Sequence, residues 1–145
     1  MKALTLWRPW PWSILYGTKR IENRRWVPPP SIFARMIALH AGLTWDYDGA
    51  LAIRELCPDL PGSSDDHPLG IVGVARVIGV VDSDHHPNLP FGQSDWFSGP
   101  FAWVLSDVVA LPRAIPCKGM QGLWSLPKDV ETEVQDFLGA HAKHR

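Results

Sequence analysis

Residues 17–26 hold one acid among four basic side chains, directly after a tryptophan-rich segment. In an extended strand, side chains alternate between two faces, so Glu22, Arg24 and Trp26 share one face. Lys19 stands at the entrance of that strand, where its ammonium group can lean over the same patch. A carboxylate, a guanidinium, an ammonium and an indole this close together could form a polar site with a stacking surface. The alternative is an exposed strand face whose ion pair is worth roughly 0–1 kcal/mol.

This group of side chains fits two kinds of chemistry. In catalysis, burial and neighbouring arginines would favour neutral Lys19 while Glu22 would oppose it, so the pair could act as general acid and base in amide or ester hydrolysis. In recognition, Glu22 would accept a hydrogen bond from an exocyclic amine, while Arg24 or Lys19 holds a phosphate. Trp26 or Trp124 would then stack on the base. Both interpretations use the same residues, so the sequence leaves both open.

The charge is divided unevenly along the chain. Residues 1–35 hold seven Lys or Arg and one acid, whereas the remainder holds seven bases and fourteen acids. A net charge of −1 argues against a general polyanion binder, but a local basic patch can still focus an anionic ligand. Four of the eight tryptophans lie in the first 26 positions. Tryptophans beside a basic strand are typical of surfaces that stack nucleobases.

The elements that hold this segment are short, because fourteen prolines and twelve glycines interrupt the chain. The predicted strands are 3–7, 20–26, 35–41, 70–81, 101–105, 108–111 and 123–126. The predicted helices are 10–16, 45–56 (capped by Thr44) and 128–142, the last one amphipathic. Short strands with peripheral helices and no repeat indicate an α+β fold, built on a small β-barrel of five to six mixed strands.

The order of several short motifs resembles the ASCH domain family, a branch of the PUA-like superfold. The motifs are Leu4-Thr5-Leu6, Pro9-Trp10, Gly17-x-Lys19, Glu22-x-Arg24, His40-Ala41, Gly70-Ile71-Val72-Gly73, Gly99-Pro100-Phe101-Ala102-Trp103, Lys118-Gly119 and Gly122-Leu123-Trp124. Together they span about residues 3–126. The resemblance implies a PUA-like barrel in residues 1–127, with a cleft between the barrel and the first helix. Residues 128–145 would be a helical extension of the same domain.

The resemblance also implies a class of ligand. Related PUA-like folds use such clefts for RNA or for modified bases. One small ASCH branch hydrolyses the acetyl amide of N4-acetylcytidine with a lysine, a threonine three positions later and a more distant glutamate. Lys19 matches that lysine, whereas Glu22 occupies the position of the threonine.

We therefore expect a domain that binds RNA, another single-stranded nucleic acid, a nucleotide or a modified nucleoside in a basic, tryptophan-lined cleft. The residues expected to contact the ligand are Trp7, Arg8, Trp10, Lys19, Glu22, Arg24, Trp26, His40, Lys118 and Trp124. His40 could instead be a satisfied histidine of the barrel, and Lys118 a solvated turn residue.

Two other classes of function stay open. One is a small hydrolase, an amidohydrolase of the acetylcytidine type or a ribonuclease, that uses Lys19 and Glu22 with Asp95 as a distant acid. The other is a protein-interaction module in which the helix at 128–142 docks a protein partner. The sequence does not predict an oligomeric state.

We expect neither a cofactor nor a metal. Cys57 and Cys117 stand alone, outside any zinc-binding spacing. The 82–86 loop holds Asp82, Asp84, His85 and His86, but solvated polar loops commonly carry such residues. No apolar run approaches the roughly 18 residues of a membrane span, and no signal-peptide pattern is present. The expectation is therefore a cytoplasmic location and no membrane partner.

Overall fold

The computed structural model describes residues 1–85, 88–90 and 92–143. Within these residues, a curled sheet of six strands is surrounded by three α-helices. The strands are β1 (Lys2–Arg8), β2 (Ile21–Arg24), β3 (Met36–Trp45), β4 (Gly70–Asp82), β5 (Phe101–Ile115) and β6 (Leu123–Ser125). The helices are α1 (Trp10–Leu15), α2 (Tyr47–Leu56) and α3 (Lys128–Lys143).

The strands follow the order β2-β5-β4-β3-β1-β6 across the sheet. Strands β1 and β3 run parallel, and every other neighbouring pair is antiparallel. The sheet curls into a half-barrel whose two ends, β2 and the β1–β6 pair, face each other across a seam. This architecture confirms the predicted α+β fold with a small barrel-like sheet of mixed strands.

Strand β5 corrects the prediction of two separate strands at 101–105 and 108–111. The chain bulges at Asp107, which has a φ of 50°, and continues pairing with β4 through register shifts. Asp tolerates this left-handed conformation better than most residues, so the interruption is a bulge within one strand of 15 residues.

Helix α2 starts two residues later than predicted, because β3 extends to Trp45 and includes Thr44. Asp46, and not Thr44, is therefore the N-cap, with its Oδ1 accepting from the Gly49 backbone N–H at 2.8 Å. Its Oδ2 accepts from the Trp10 indole N–H at 2.8 Å. One carboxylate thus caps α2 and ties this helix to α1.

Helix α3 packs its apolar face on the outside of the sheet. Val130 and Val134 are buried in one core cluster with Trp124, and Phe137 and Leu138 are partly buried against the same cluster. The apolar face of α3 is therefore covered by the sheet, which leaves its polar face exposed. None of the helices in the described ranges is long and apolar enough to cross a membrane.

His40 belongs to a closed hydrogen-bond chain inside the fold. Its Nε2 lies 2.7 Å from the Cys117 carbonyl, which only an N–H can satisfy, so Nε2 carries the proton. Its Nδ1 lies 3.2 Å from the Thr5 hydroxyl, which in turn accepts from the Trp124 indole N–H at 3.1 Å. His40 is therefore a satisfied barrel histidine, and Gly119 packs directly against its ring.

We predict that Gly119→Ala destabilises the protein by about 1–3 kcal/mol, because overpacking forces a well-packed network apart. The added methyl would stand 2.5 Å from the His40 ring and 2.8 Å from the Thr5 hydroxyl. Gly139→Ala is the control, because this α3 position has no atom within 4 Å of a new Cβ and should gain about 0.5–1 kcal/mol. Urea unfolding of the wild type and both variants measures this. A Gly119→Ala variant as stable as the wild type would contradict the arrangement around His40.

Candidate functional site

An open pocket of about 570 Å³ lies in the seam between β2 and β1. The seam exists because β6 pairs only with residues 2–4 of β1, which leaves the second half of that strand without a neighbour on this side. The pocket brings together six of the residues predicted to form a site, namely Trp7, Trp10, Lys19, Glu22, Arg24 and Trp26. It also includes Asn23, Arg25, Asp46 and Ser98, which the sequence analysis did not assign to it.

Lys19 forms the floor of this pocket and is only 1% exposed. Its Nζ donates to the Ile21 carbonyl at 2.6 Å and to Glu22 Oε1 at 3.3 Å. The same Nζ lies 5.1 Å from the centre of the Trp10 ring, a favourable position for a cation beside an aromatic face. Lys19 is thus a fully buried group at the entrance of β2.

The loop that carries Lys19 is fixed from both sides. The Lys19 backbone N–H donates to the Ser13 carbonyl of α1 at 3.1 Å. The buried Gln93 side chain donates to the Thr18 carbonyl at 2.8 Å and accepts from the Arg20 N–H at 2.6 Å. These bonds hold the turn after α1 in one path, so the lysine enters the seam in a defined position.

Burial sets the protonation of Lys19. Desolvation lowers the pKa of its ammonium group below the ordinary value of 10.5, since the charged form loses its hydration. The adjacent Glu22 carboxylate opposes this shift by stabilising the charge, and Arg24 adds to the lowering. The balance favours a lysine that releases its proton more readily than a lysine in water.

Glu22 lies between the two cations of the seam. One oxygen, Oε1, faces Lys19, and the other, Oε2, accepts from the Arg24 Nε at 3.0 Å. The Arg24 Nη2 also donates to the Thr5 carbonyl of β1 at 3.0 Å. Arg24 therefore connects β2 to β1 where no backbone ladder joins them, and Glu22 and Arg24 share a face as strand alternation predicts.

Tryptophans form the walls of the pocket. Trp26 lies beyond the end of β2, packs edge-on against Trp103 at 4.8 Å between ring centres, and is 37% exposed. Trp7, on β1, is 57% exposed. Trp10 is held by its indole bond to Asp46, as described above. Two indoles are thus available to a ligand, and the third covers the buried lysine.

The rim of the pocket carries Asn23 and Arg25. The Asn23 amide donates to the Trp96 carbonyl at 3.0 Å and accepts from the backbone N–H groups of Ser98 and Gly99, so it holds the 96–99 segment beside the pocket. Arg25 is exposed, and within the described residues its guanidinium has no hydrogen-bond or ion-pair partner. Alternation along a strand places Arg25 on the opposite face, but β2 ends at Arg24, so alternation no longer applies to it.

Five residues predicted for the site lie elsewhere, namely Arg8, His40, Asp95, Lys118 and Trp124. His40 and Trp124 are buried in the network described above. Asp95 and Lys118 are exposed, on a short 3₁₀-helix and after the end of β5, and neither lines the pocket. The Arg8 guanidinium donates to four backbone carbonyls, those of Gly42, Leu43, Ser64 and His67. It thereby joins the end of β1 to β3 and to the segment at 64–67, and it lines a separate pocket of about 340 Å³.

The 82–86 loop holds an exposed acid–histidine pair. The Asp82 Oδ1 lies 2.7 Å from the His85 Nδ1, and this bond raises the pKa of His85. His86 lies outside the described residues. Among those that are described, no group of three His, Cys, Asp or Glu side chains could hold a metal ion.

We predict that Lys19 makes stability depend on pH in an identifiable way. The unfolded chain binds the lysine proton more tightly than the folded protein, so the contribution of Lys19 to the free energy of unfolding rises with pH between its lowered pKa and 10.5. The free energy of unfolding of the wild type minus that of Lys19→Met should therefore increase from pH of about 7 to about 10. Denaturant unfolding of both proteins checks this, and a difference that falls with pH would contradict the burial of the ammonium group.

No family model and no curated protein matches the chain. Among solved structures, the chain is similar to the ASCH protein from Zymomonas mobilis, with 19% identity, a TM-score of 0.55 and 93% coverage of each chain. Two point mutants of that protein match at 18% identity, with TM-scores of 0.55 and 0.54, over 93% of this chain and 94% and 96% of those chains. Identity this low establishes the fold alone. The PUA-like architecture expected from the sequence motifs is thereby confirmed, and the chain has an ASCH-like fold over nearly its whole length.

Proposed function

We propose that this protein binds single-stranded RNA, or a nucleotide or modified nucleoside of the same chemistry, in the pocket of the seam. The observation that supports this is the Lys19–Glu22–Arg24 network, which lines the same pocket as two exposed indoles and as Arg25, whose guanidinium has no partner among the described residues. A base would stack on Trp7 or Trp26 while its polar edge meets the network. The rim arginine, Arg25, would take the phosphate.

The size of the pocket agrees with such a ligand. Its volume of about 570 Å³ falls within the roughly 300–1,000 Å³ that is typical of small-molecule sites. Three cations line it against two carboxylates, and one of these, Asp46, is already engaged by Trp10 and the cap of α2. The excess of cations over carboxylates in the pocket favours an anionic ligand, such as a phosphate-bearing strand.

Glu22 supplies the polar contact for the base. Each carboxylate oxygen can accept two hydrogen bonds, and in this structure Oε1 accepts from Lys19 and Oε2 from Arg24. The remaining acceptor capacity suits an exocyclic amine, which is how carboxylates read base edges. Lys19 and Arg24 hold the carboxylate in one position, so it would not have to reorganise when the base arrives.

We predict that Trp26→Ala weakens binding of a short single-stranded RNA by roughly 5- to 150-fold, the equivalent of the ~1–3 kcal/mol of one stacked base. Tyr16→Ala is the matched control, because Tyr16 is an exposed aromatic that lines the other pocket. Fluorescence anisotropy with a labelled oligonucleotide measures both. Equal affinity of wild type and Trp26→Ala would remove the stacking role.

Salt dependence tests the phosphate contact in the same assay. Affinity should fall between about 50 and about 300 mM salt, with a slope of roughly −0.7 per phosphate contacted, and Arg25→Glu should reduce that slope. Arg25 is a cleaner choice than Arg24, whose guanidinium is part of the network. Arg145, a remote cation in the sequence, lies outside the described residues, so Arg113→Glu serves as the control. Affinity that does not change with salt would contradict this contact.

Hydrolysis of an acylated nucleoside is a second candidate, favoured by one observation. Lys19 Nζ lies 3.3 Å from Glu22 Oε1 in a site that lowers the lysine pKa, so a neutral lysine could take a proton from an attacking water. Glu22 would stabilise the ammonium that forms and allow it to return the proton to the leaving amine or alcohol. The same pair could act on a phosphodiester as a ribonuclease.

For this candidate we predict that Lys19→Met abolishes turnover and stays folded, because methionine fills the buried position while Glu22 keeps its pair with Arg24. Incubation with N4-acetylcytidine or with an RNA oligonucleotide, followed by chromatography, detects the product. Circular dichroism confirms folding, which matters for Glu22→Gln because that change leaves two cations without a counter-charge. Full turnover by Lys19→Met, or intact substrates with wild type, would refute the hydrolase.

A further inference from the structure

A second basic pocket, of about 590 Å³, lies at the beginning of β1. Its cations are Lys2, Arg35, Arg76 and the Met1 ammonium, and this ammonium is paired with Glu131, which also lines the pocket. Arg35 is exposed and, in the described part of the chain, its guanidinium has no hydrogen-bond or ion-pair partner. Lys2 bonds only to the Ser125 hydroxyl at 3.0 Å, whereas Arg76 is paired with Asp107. This pocket therefore holds two cations that an external anion could engage.

The topology joins this pocket to the tryptophan pocket. Between β2 and β1 along the sheet there are three antiparallel steps and one parallel step, so β2 runs opposite to β1. Strand β2 consequently points toward the beginning of β1, and the segment at 25–35 continues from its end beside Thr5. Arg25 and Trp26 line the first pocket, and Ser31 and Arg35 line the second.

The two pockets are close enough for one short strand of nucleic acid. Thr5 lines the tryptophan pocket and Lys2 lines the second pocket, and both are on β1. Three residues of strand correspond to about 10 Å at roughly 3.3 Å per residue. A stretch of a few nucleotides covers this distance, and sites of about 4–16 nucleotides are usual where stacking and a basic groove combine.

We infer that the seam recognises an oligonucleotide rather than a free nucleoside, with one base in the tryptophan pocket and the following phosphates on Arg25, Arg35 and Lys2. This inference rests on the proposed function of that pocket. The strand is single, because a base inside a duplex cannot present its face to Trp26. Arg25 and Arg35, neither of which has a side-chain partner among the described residues, stand at either end of the 25–35 segment, so the backbone of the ligand would follow this segment.

Oligonucleotide length is the direct test. Anisotropy competition at ~50 mM salt compares a nucleoside monophosphate, a dinucleotide and an octanucleotide of RNA. We expect the octanucleotide to bind at least tenfold more tightly than the dinucleotide. Arg35→Glu should weaken the octanucleotide by at least about threefold and reduce its salt slope by roughly 0.7, with no effect on the dinucleotide. Arg113→Glu should change the affinity of neither oligonucleotide. Arg113 is exposed, lines the separate pocket of about 340 Å³, and has no side-chain partner among the described residues.

The outcomes separate this inference from the function on which it rests. If the dinucleotide binds, depends on Trp26, and is matched by the octanucleotide, the tryptophan pocket stands and the extended path is wrong. If polyphosphate competes as well as the octanucleotide and Arg113→Glu weakens binding as much as Arg35→Glu, the contact is general charge attraction and the path is again wrong. If no nucleic acid binds, both proposals fail.

Discussion

Glu22 holds two cations beside a seam that the backbone itself does not close. Its carboxylate lies between the buried Lys19 ammonium and the Arg24 guanidinium, and Arg24 continues to the Thr5 carbonyl on the opposite strand. Because each of these groups would be expensive to bury alone, each depends on the others being present. The network joins the end of β2 to the edge of β1 and forms one side of the pocket.

A buried ion network of this kind is weak evidence for stability, because well-packed apolar residues of the same volume often do as well. Its presence here is easier to explain by what it exposes. The network places a fixed carboxylate and the partly exposed Arg24 guanidinium beside an open pocket, where β6 is too short to cover β1. Charges that are already desolvated and oriented require little rearrangement when a polar ligand arrives. The same arrangement thus joins β2 to β1 and would offer a preorganised polar surface to the ligand that we propose.

The centre of the site was accessible to sequence reasoning because it is local. Period-two alternation is enough to place Glu22 and Arg24 together, and a lysine just before a short strand cannot be far from them. Trp26 reached the pocket for a different reason, since β2 ends before it and the chain turns back over Trp103. The ordered motifs likewise predicted the barrel, through the resemblance of their order to the ASCH family and not through any single motif.

Contacts distant in sequence decided the remaining residues. Arg8 has the identity of a ligand contact, but its guanidinium is saturated by carbonyls from 34 to 59 positions away, which no local pattern reveals. His40 and Trp124 are both hydrogen-bonded to the Thr5 hydroxyl, and Thr5 and Trp124 are 119 positions apart in the sequence. Arg25 differs from Arg8 in this respect. It follows the last residue of β2, and its guanidinium has no hydrogen-bond or ion-pair partner among the described residues. Residue type alone therefore could not separate the cations that hold this fold together from those that remain available to a ligand; that distinction follows from which carbonyls and carboxylates the fold brings within reach.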